Sequence, residues 1–560
     1  MASKSVLEGL YLGTEGGEAL AAVAPHINLG KVRIVLHRYR EILKDFDPRE
    51  LETSGRVPQA MLSRMAESGL FGLTIPLRYG GLGLNLHEYL WLVERMACQD
   101  LSVSLVALAH LSIGIQGIVL FGNEVQKERY LVPAASGDMI FSFALTEPHV
   151  GSDAQHVETC AELSGDGEHY VLNGRKTYIT NANYAGAFTT FARLDPERPG
   201  FLGAFIVEAG WKGVEIGKDM PKMGLKASST AAVRFRDVRV PAANLLGKAG
   251  DGFKIAMAVL NFGRLALGGA SAGMMSQCLR DMLDRSASRI QFGRPIRSYP
   301  LIQEKLVRAR VHYEVSSSIN EWVAHLLEEN PAAPVAVETS HCKLYGTTRG
   351  WETVYDALQT AGGAGYLMTL PYEKRMRDFR VTTVFEGTTE IHTIHPAVQL
   401  LRGAARRLNG AGADSLSRGF RALRWILGPT LGGFSFSDPE LRRAARFCRR
   451  CIRSIRKLLF AGLIFHKASV FENQFFLRKI TSLSLACFSI LALLRRHQSP
   501  RSGAGPSFEE RAVLRYALAE AEEVHRHCRR FGPSRLERLH DEVMAQWSRG
   551  GEEEGQGPEA

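Results

Sequence analysis

Apolar positions change their spacing several times along the chain, and each change predicts a different kind of element. From about Asn28 to Gly137 the pattern is helical. Pro58-Gln-Ala-Met-Leu-Ser-Arg-Met-Ala-Glu-Ser-Gly69 shows helical periodicity and stops at a glycine. Leu86 to Gly122 is largely apolar and sparsely charged, which predicts a buried helix pair. Near Met139 the pattern becomes that of short strands: Phe141–Leu145, Tyr170–Gly174, Phe188–Arg193, Gly203–Val207 and Ala232–Arg236. Turns rich in Gly, Asn, Asp and Pro separate them, and their regular spacing predicts a small antiparallel barrel or sandwich. Helical spacing returns from Gly252 to about Leu401, with long runs at Leu301–Asn330 and Val335–Gly362 that suit a bundle.

The expected architecture is α+β. An N-terminal arm (1–29) leads into an N-terminal helical domain (30–138), a middle antiparallel β-barrel or sandwich domain (139–246) and a C-terminal four-helix bundle (247–405). Beyond Gly403 the composition shifts again. An appended helical domain (406–548) is expected there, with loop-like stretches at Gly428–Pro439 and Gln498–Ser507 bracketing a basic segment. The Glu- and Gly-rich tail (549–560) is expected to be disordered.

The length of 560 residues exceeds one compact core and implies about three or four folded units. The formal charge of +11 would suggest nucleic acid if it were spread along the chain, but it is not. Thirteen Lys and Arg against one acid, Glu472, fall between Leu441 and Arg496, leaving the remainder close to neutral. No nucleic-acid reading module accompanies that segment, so no nucleic-acid partner is expected. Leu441, Cys448, Ile452, Ile455 and Leu459 share one helical face; Arg442, Arg446, Arg449, Arg453 and Lys457 share another. Such a helix suits an anionic membrane surface or an acidic partner, or simply packs with its arginines in water. Ile480–Leu494 is uncharged but short of the ~20 residues of a comfortable span, so it reads as a buried or interfacial helix. The 8 cysteines are scattered; Cys448 and Cys451 form a C-x-x-C with no second pair to complete a zinc site. No metal is expected, and a reducing compartment is the default. The first residues show neither a secretory signal nor a transit peptide.

Three short stretches carry candidate chemistry. Thr146-Glu-Pro-His-Val-Gly-Ser-Asp153 follows a strand, and its small residues leave backbone N–H groups open to a flat or phosphorylated ligand; alone, it is equally a turn. Tyr178 and Thr180 stand two apart on one strand face, able to stack on and hydrogen-bond a ring or merely to pattern the strand. In Val384-Phe-Glu-Gly-Thr-Thr-Glu-Ile391, Glu386 lies in an apolar context that would raise its pKa toward that of a general base; a structural carboxylate at a helix start is the alternative.

In this order, these stretches resemble the acyl-CoA dehydrogenase family from about residue 30 to residue 400. Further matching stretches are Lys222-Met-Gly-Leu-Lys-Ala-Ser-Ser-Thr230, Asp237-Val-Arg-Val-Pro241, Arg289-Ile-Gln-Phe-Gly293 and Gln359-Thr-Ala-Gly-Gly-Ala-Gly365. The resemblance implies FAD as cofactor and α,β-dehydrogenation of an acyl-CoA to a trans-2-enoyl-CoA in fatty acid β-oxidation. Glu386 would be the base and an electron-transfer flavoprotein the acceptor. It further implies that Phe143, Thr146 and Ser152 lie against the flavin ring and phosphates, that Tyr178 and Thr180 cover its other contacts, and that Thr388 and Glu390 touch it beyond the base. Arg289, Gln291, Gln359, Gly362 and Gly363 would reach the FAD of a neighbouring protomer, which implies a homodimer. Ser152, Arg264 and Gly387 match positions that touch the acyl-CoA. The implied oxyanion hole for the thioester carbonyl combines the Glu386 backbone N–H with a ribityl hydroxyl of the cofactor.

Within the family the chain resembles the very-long-chain branch, which also carries an extra C-terminal helical domain. Gly114 and Gly117, with Asn261-Phe-Gly-Arg264, are expected to leave a deep apolar tunnel for a long acyl chain; close helix packing is the other use of such glycines. Three departures bear on the site: Pro300 where some relatives use a glutamine, His392-Thr393 where relatives have an apolar residue and arginine, and Phe385 where several have tyrosine. An acyl-CoA oxidase and an assembly factor of a respiratory complex are the alternatives. The expected location is a bacterial cytoplasm, peripheral on the inner membrane, or a mitochondrial matrix.

Overall fold

A computed structural model describes residues 5–14, 25–408, 423–431, 436–497 and 506–554, with side chains to 545. The chain divides into two units. The first comprises Ala22–His392 with Met1–Ser5 and Arg496–Ala504; the second comprises Val6–Ala21, Thr393–Arg495 and Gly505–Ala560.

Helices open the chain: α1 (Val6–Leu12), α2 (Leu29–Lys44), α3 (Pro48–Ser54), α4 (Gln59–Glu67), α5 (Leu86–Ala97), α6 (Leu101–Ala109), α7 (Gln116–Phe121) and α8 (Glu124–Ser136). Their starts are written locally. Asn85 and Glu88 form a reciprocal capping box at α5, and Asn123 and Gln126 form another at α8. The Gln126 amide also donates to the carbonyls of Ala243 (2.7 Å) and Leu245 (2.9 Å), tying α8 to the middle of the chain. Between α6 and α7, His110–Gly114 forms a π-helical turn. Burial pushes the His110 imidazole down to about 4, so its Nδ1 stays neutral and accepts from the Phe141 N–H (2.9 Å). One buried ring thereby joins the apolar helix run to the first strand.

Eight strands follow: β1 (Ile140–Ala144), β2 (Cys160–Leu163), β3 (His169–Thr180), β4 (Ala185–Arg193), β5 (Leu202–Glu208), β6 (Val214–Ile216), β7 (Thr230–Pro241) and β8 (Leu245–Gly250). They run β6-β7-β3-β2-β4-β5-β8, with β1 beside β4. The sheet is mixed rather than antiparallel throughout: β1 lies parallel to β4, and β2 meets β4 in parallel at Cys160 and Arg193. Turn chemistry reports only on neighbours in sequence, whereas these pairings join strands with others between them. β4 is buried on both faces. Ala187 and Phe191 pack into the helical core, while Phe188 and Ala192 pack with Leu172, Phe205 and Phe235 in a second core.

Three long helices complete the first unit, α9 (Gly252–Ser288), α10 (Pro300–Glu329) and α11 (Ala336–Ala361); they pack on one another, and α9 and α10 also pack on α5. Between α9 and α10, β9 (Ile290–Gln291) and β10 (Arg294–Pro295) form a small hairpin. The short α12 (Gly363–Tyr366) and α13 (Tyr372–Arg380) lead to α14 (Thr389–Leu408), the fourth long helix expected, which begins in the first unit and continues in the second.

The second unit contains α1, α15 (Pro439–Ala461), α16 (Gln474–Arg496), α17 (Phe508–Cys528) and α18 (Arg535–Glu554), Arg496 excepted. Of the 18-residue apolar window in α16, 83% is buried, which makes it a core helix rather than an interfacial one. The tail departs from its expected disorder as far as Glu554, the end of α18; the rest of the tail and Gln498–Gly505 lie outside the described residues. Cys448 and Cys451 are buried on α15, and among the described residues no His, Cys, Asp or Glu cluster could hold a metal ion.

Arg456 organises the second unit. Its buried guanidinium donates to the carbonyls of Leu10, Tyr11, Trp425, Gly428 and Pro429 at 2.7–3.1 Å. Burial, then the nearby Arg407 and Arg453, lower its pKa to about 10. No shorter cation reaches five carbonyls in this fork-like arrangement. Arg456→Met is expected to destabilise this unit by about 3 kcal/mol or more, because it strands buried acceptors. Arg456→Lys should recover only part of that. Chemical denaturation of the three proteins measures both differences.

Candidate active site

A strained turn lies between α13 and α14. Glu386 has φ +56° and Gly387 φ +98°, so consecutive residues enter the left-handed region, which a glutamate rarely adopts. Two side chains grip the turn. His392, on the first turn of α14, places Nε2 3.0 Å from the Glu386 carbonyl. Lys343, on α11, donates its ammonium to the Gly387 carbonyl. A Cβ at position 387 would stand 2.7 Å from the His392 ring, so only glycine fits there.

The turn aims the Glu386 side chain at α9. A Cβ on Gly263 would sit 2.7 Å from Glu386 Oε2, so the missing side chain of Gly263 makes room for the carboxylate. The residue as a whole is half-buried, but Oε2 is enclosed and has no hydrogen-bond partner. Burial pushes the Glu386 carboxyl up to about 7, against the pull of the Arg264 and Lys343 charges. Those cations are buried too: burial lowers Arg264 to about 10 and Lys343 to about 8, and Glu386 resists both shifts. The buried Tyr89 phenol faces the same carboxylate and is raised, first by burial and then by Glu386. A carboxylate poised near neutrality beside fixed cations can take a proton from a weak carbon acid.

A cavity of about 180 Å³ lies on the Tyr89 and Phe262 side of this group. Tyr89 lines it, with Leu111, Ser112, Val119, Leu120 and, from α9 beside Gly263, Phe262. Gly114 and Gly117, expected to open a tunnel, do not line this cavity, although their neighbours do. Gly114 would drive a Cβ to 2.5 Å from the Phe141 carbonyl, and Gly117 is closed over by Thr189, Leu246 and Val259. These two glycines serve close packing against the sheet; the larger side chains around them line the space. Asn261 is tied to α11, its Oδ1 accepting from the Thr339 hydroxyl (2.9 Å).

The Thr146–Asp153 turn is braced from beneath. Buried Glu147 accepts from the Lys176 ammonium (2.6 Å), the Thr159 N–H (3.0 Å) and the Glu158 N–H. Lys176 also donates to the Leu145 carbonyl (3.1 Å), and the Thr177 N–H to the Thr146 carbonyl (2.8 Å). The Lys176 charge, with hydrogen bonds, holds the Glu147 carboxyl low despite burial; burial lowers Lys176 to about 8. Above this brace Phe143 and Thr146 are half-buried, Phe143 packing on Phe191 with ring centres 5.0 Å apart, while Gly151 and Ser152 are exposed. β3 bulges between Lys176 and Ile179; Tyr178 takes φ +57° there and is 67% exposed, while Thr180 is half-buried.

Another group lies on the surface. Arg289, Gln291, Gln359, Gly362 and Gly363 are all exposed. Arg285, one turn before Arg289, donates to the Ala361 carbonyl (3.5 Å), which sets the root of the β9–β10 hairpin beside the 359–363 turn. Half-buried Thr388 receives the Ile391 N–H on its hydroxyl (3.4 Å), and Glu390 is exposed.

Residues 37–138, 142–238 and 250–401 match the N-terminal, middle and C-terminal domains of acyl-CoA dehydrogenases. The mitochondrial very long-chain specific acyl-CoA dehydrogenase of Macaca fascicularis is 36% identical over 469 residues, covering 80% of this chain and 71% of that protein. The chain belongs to the acyl-CoA dehydrogenase family. An acyl-CoA dehydrogenase of Bacillus subtilis is 36% identical over 373 residues, 65% of this chain and 97% of its own. The crystal structure of a Bacillus anthracis acyl-CoA dehydrogenase complexed with FAD superposes with a TM-score of 0.82 at 26% identity, covering 97% of this chain and 95% of that one.

As a member of this family the protein is an FAD-dependent oxidoreductase, and its surface fits that cofactor. Gly151, Gly362 and Gly363 face open space where a Cβ would stand, leaving backbone accessible to a phosphate or ring, and Tyr178 is extruded beside the braced turn. The three departures from the family pattern also find places. Pro300 is the first residue of α10, where proline suits a helix; Phe385 packs against the helical core; His392 holds the Glu386 carbonyl. Sequence reading missed Lys343, Tyr89, the Glu147–Lys176 brace and the part played by His392. The only available signal was a lysine or carboxylate among apolar and hydroxyl neighbours, as in Ser340-His-Cys-Lys-Leu344.

Proposed function

We propose that Glu386 is the base that removes the α-proton of a long-chain acyl-CoA thioester. The observation that carries this reading is the enclosed carboxylate, its pKa raised to about 7 in the space opposite Gly263, with Tyr89 between it and a largely apolar-lined cavity. Burial keeps water from competing for the base, and Arg264 and Lys343 favour the ionised form. The Glu386 N–H is the chain's own donor to the thioester oxygen as negative charge develops there. Thr146, Ser152, Tyr178, Thr180, Thr388 and Glu390 would hold FAD, which when bound accepts the β-hydrogen as hydride. Phe143 would lie beneath it. Arg264, Asn261, Ser152 and Gly387 would position the acyl-CoA, whose tail would fill the cavity at Tyr89 and Phe262. Each buried methylene contributes ~0.8 kcal/mol, about fourfold in affinity, which favours long chains. An electron-transfer flavoprotein would be the acceptor.

A base must be ionised to act, and the Glu386 pKa is raised, so its active form dominates above about pH 7 and turnover should fall as pH drops through that value. Glu386→Gln should retain FAD and bind acyl-CoA yet lose at least about a thousandfold in dehydrogenation rate. Anaerobic titration with acyl-CoAs of graded length tests both variant and wild type. Rates should rise beyond about twelve carbons; a sharp optimum on butyryl-CoA, or turnover by Glu386→Gln, sinks the reading.

The exposed pair of elements around Arg289 and Gly362 supports a homodimer in which each copy reaches the FAD of the other. Arg289→Ala should then lower FAD content without lowering the thermal midpoint of the apoprotein. Full FAD retention by a protein that sediments as a monomer rules this out.

Peripheral membrane contact is favoured by the second unit alone. Arg442, Arg446, Arg453 and Lys457 lie exposed along α15, whereas Arg443 and Arg450 are paired with Glu522. Ile464 and Phe465, just past the helix, are 50% and 71% exposed. A cationic row beside exposed apolar side chains suits an anionic lipid surface, whether of a bacterial inner membrane or a mitochondrial one. The protein should co-sediment with phosphatidylserine-containing vesicles at low salt, and replacing those four cations by Gln should abolish this. Equal binding by both proteins refutes it.

A further inference from the structure

We propose that His392, acting with Lys343, is a positioning residue for the base: the two side chains hold consecutive carbonyls of the Glu386–Gly387 turn and so keep the Glu386 carboxylate seated opposite Gly263. The proposal rests on Glu386 being the base and adds what holds it in place.

The turn has little else to define it. It is too short to form helix or sheet bonds of its own, and it puts a glutamate at φ +56°, a conformation that persists only where the surroundings enforce it. Relieving that strain takes rotation about the Glu386 N–Cα bond, which would turn the Glu386 side chain and the carbonyls of Glu386 and Gly387 that follow it away from their seats. Each carbonyl that would have to turn is held. A carbonyl can only accept, so the His392 Nε2 at 3.0 Å from the Glu386 oxygen carries hydrogen and donates. The next carbonyl, of Gly387, takes the Lys343 ammonium. The donors come from different helices, α14 and α11, so the turn is clamped between them. The His392 ring is buried and occupies the space beside Gly387. It therefore acts on the Glu386 backbone rather than on any reacting atom.

The clamp also governs which groups the carboxylate meets. Seated, Glu386 faces Arg264 from α9, Lys343 from α11 and the Tyr89 phenol from α5, with His392 of α14 behind its carbonyl. Unseated, it would gain water and lose the enclosure that raises its pKa. Removing the His392 donor should thus change the rate and the pH at which the base ionises, which loss of folded protein alone would not do.

His392→Leu keeps bulk and removes the donor; His392→Gln retains an N–H. Both holoenzymes should bind dodecanoyl-CoA as the wild type does and keep its thermal midpoint within a few degrees. In His392→Leu, α-hydrogen exchange with deuterated water and anaerobic dehydrogenation should both fall by about ten- to a hundredfold, the scale of a small misplacement. The acid limb of the rate profile should move from about 7 toward the ordinary carboxylate range. His392→Gln should recover most of the rate and the wild-type limb. The proposal is overturned if His392→Leu keeps its rate within about twofold with an unmoved limb. It is equally overturned if the loss tracks only FAD content or folded fraction. Glu386→Gln, run alongside, separates the two ideas: wild-type exchange in that variant defeats the base assignment itself. An inactive Glu386→Gln beside an unimpaired His392→Leu defeats only the positioning role.

Discussion

A single enclosed carboxylate sets the terms for the catalytic half of this protein. Removing a charge from water costs several kcal/mol, and partners repay that only when they are close and fixed. Glu386 has two such partners, Arg264 and Lys343, themselves buried, and its own pKa still rises to about 7. Desolvation therefore outweighs attraction. The result is a carboxylate that ionises close to neutrality, the range in which a general base works best. Gly263 supplies the room, the left-handed turn supplies the direction, and α5, α9, α11 and α14 bring the surrounding groups together.

The same device recurs elsewhere in the fold. Lys343 donates to the Gly387 carbonyl while facing the Glu386 carboxylate; Lys176 donates to the Leu145 carbonyl while pairing with Glu147. In both cases a buried ammonium satisfies the backbone of a functional turn, and a nearby carboxylate makes its burial tolerable. Arg456 does related work in the second unit, where its fork of donors collects five carbonyls. Irregular backbone cannot satisfy itself as helix and sheet do, so a buried cation with several donors substitutes for regular hydrogen bonding. The exposed Arg442, Arg446 and Arg453 of α15 are of another kind, spread along the surface of the helix.

FAD-dependent chemistry on an acyl-CoA asks for two surfaces of different character, and the chain provides them. The Glu386 Oε2 is enclosed, and the cavity beyond Tyr89 is lined mostly by apolar side chains. The braced turn at Thr146, the bulge at Tyr178 and the glycines at 362 and 363 are open, with accessible backbone. The Thr146 turn owes its support to the buried Glu147–Lys176 pair beneath it.

Much of this was legible in the sequence alone. Periodicity placed the helices and most of the strands, because amphipathic spacing is imposed residue by residue by the core each element must face. The motif around Glu386 and the turn at Thr146 were visible for a similar reason: their chemistry is confined to a few neighbouring residues. What lay beyond the sequence was everything that depends on residues far apart meeting. The parallel pairing of β1 with β4 joins strands separated by two others. The face of the Leu101–Phe121 run that lines the cavity was decided by the sheet packing against Gly114 and Gly117, since periodicity cannot rank two apolar faces of one buried helix. Lys343 reads in sequence as one more helical lysine, and His392 as a departure from the family pattern. Only the folded chain, by setting both beside the carbonyls of one strained turn, gave either of them a partner.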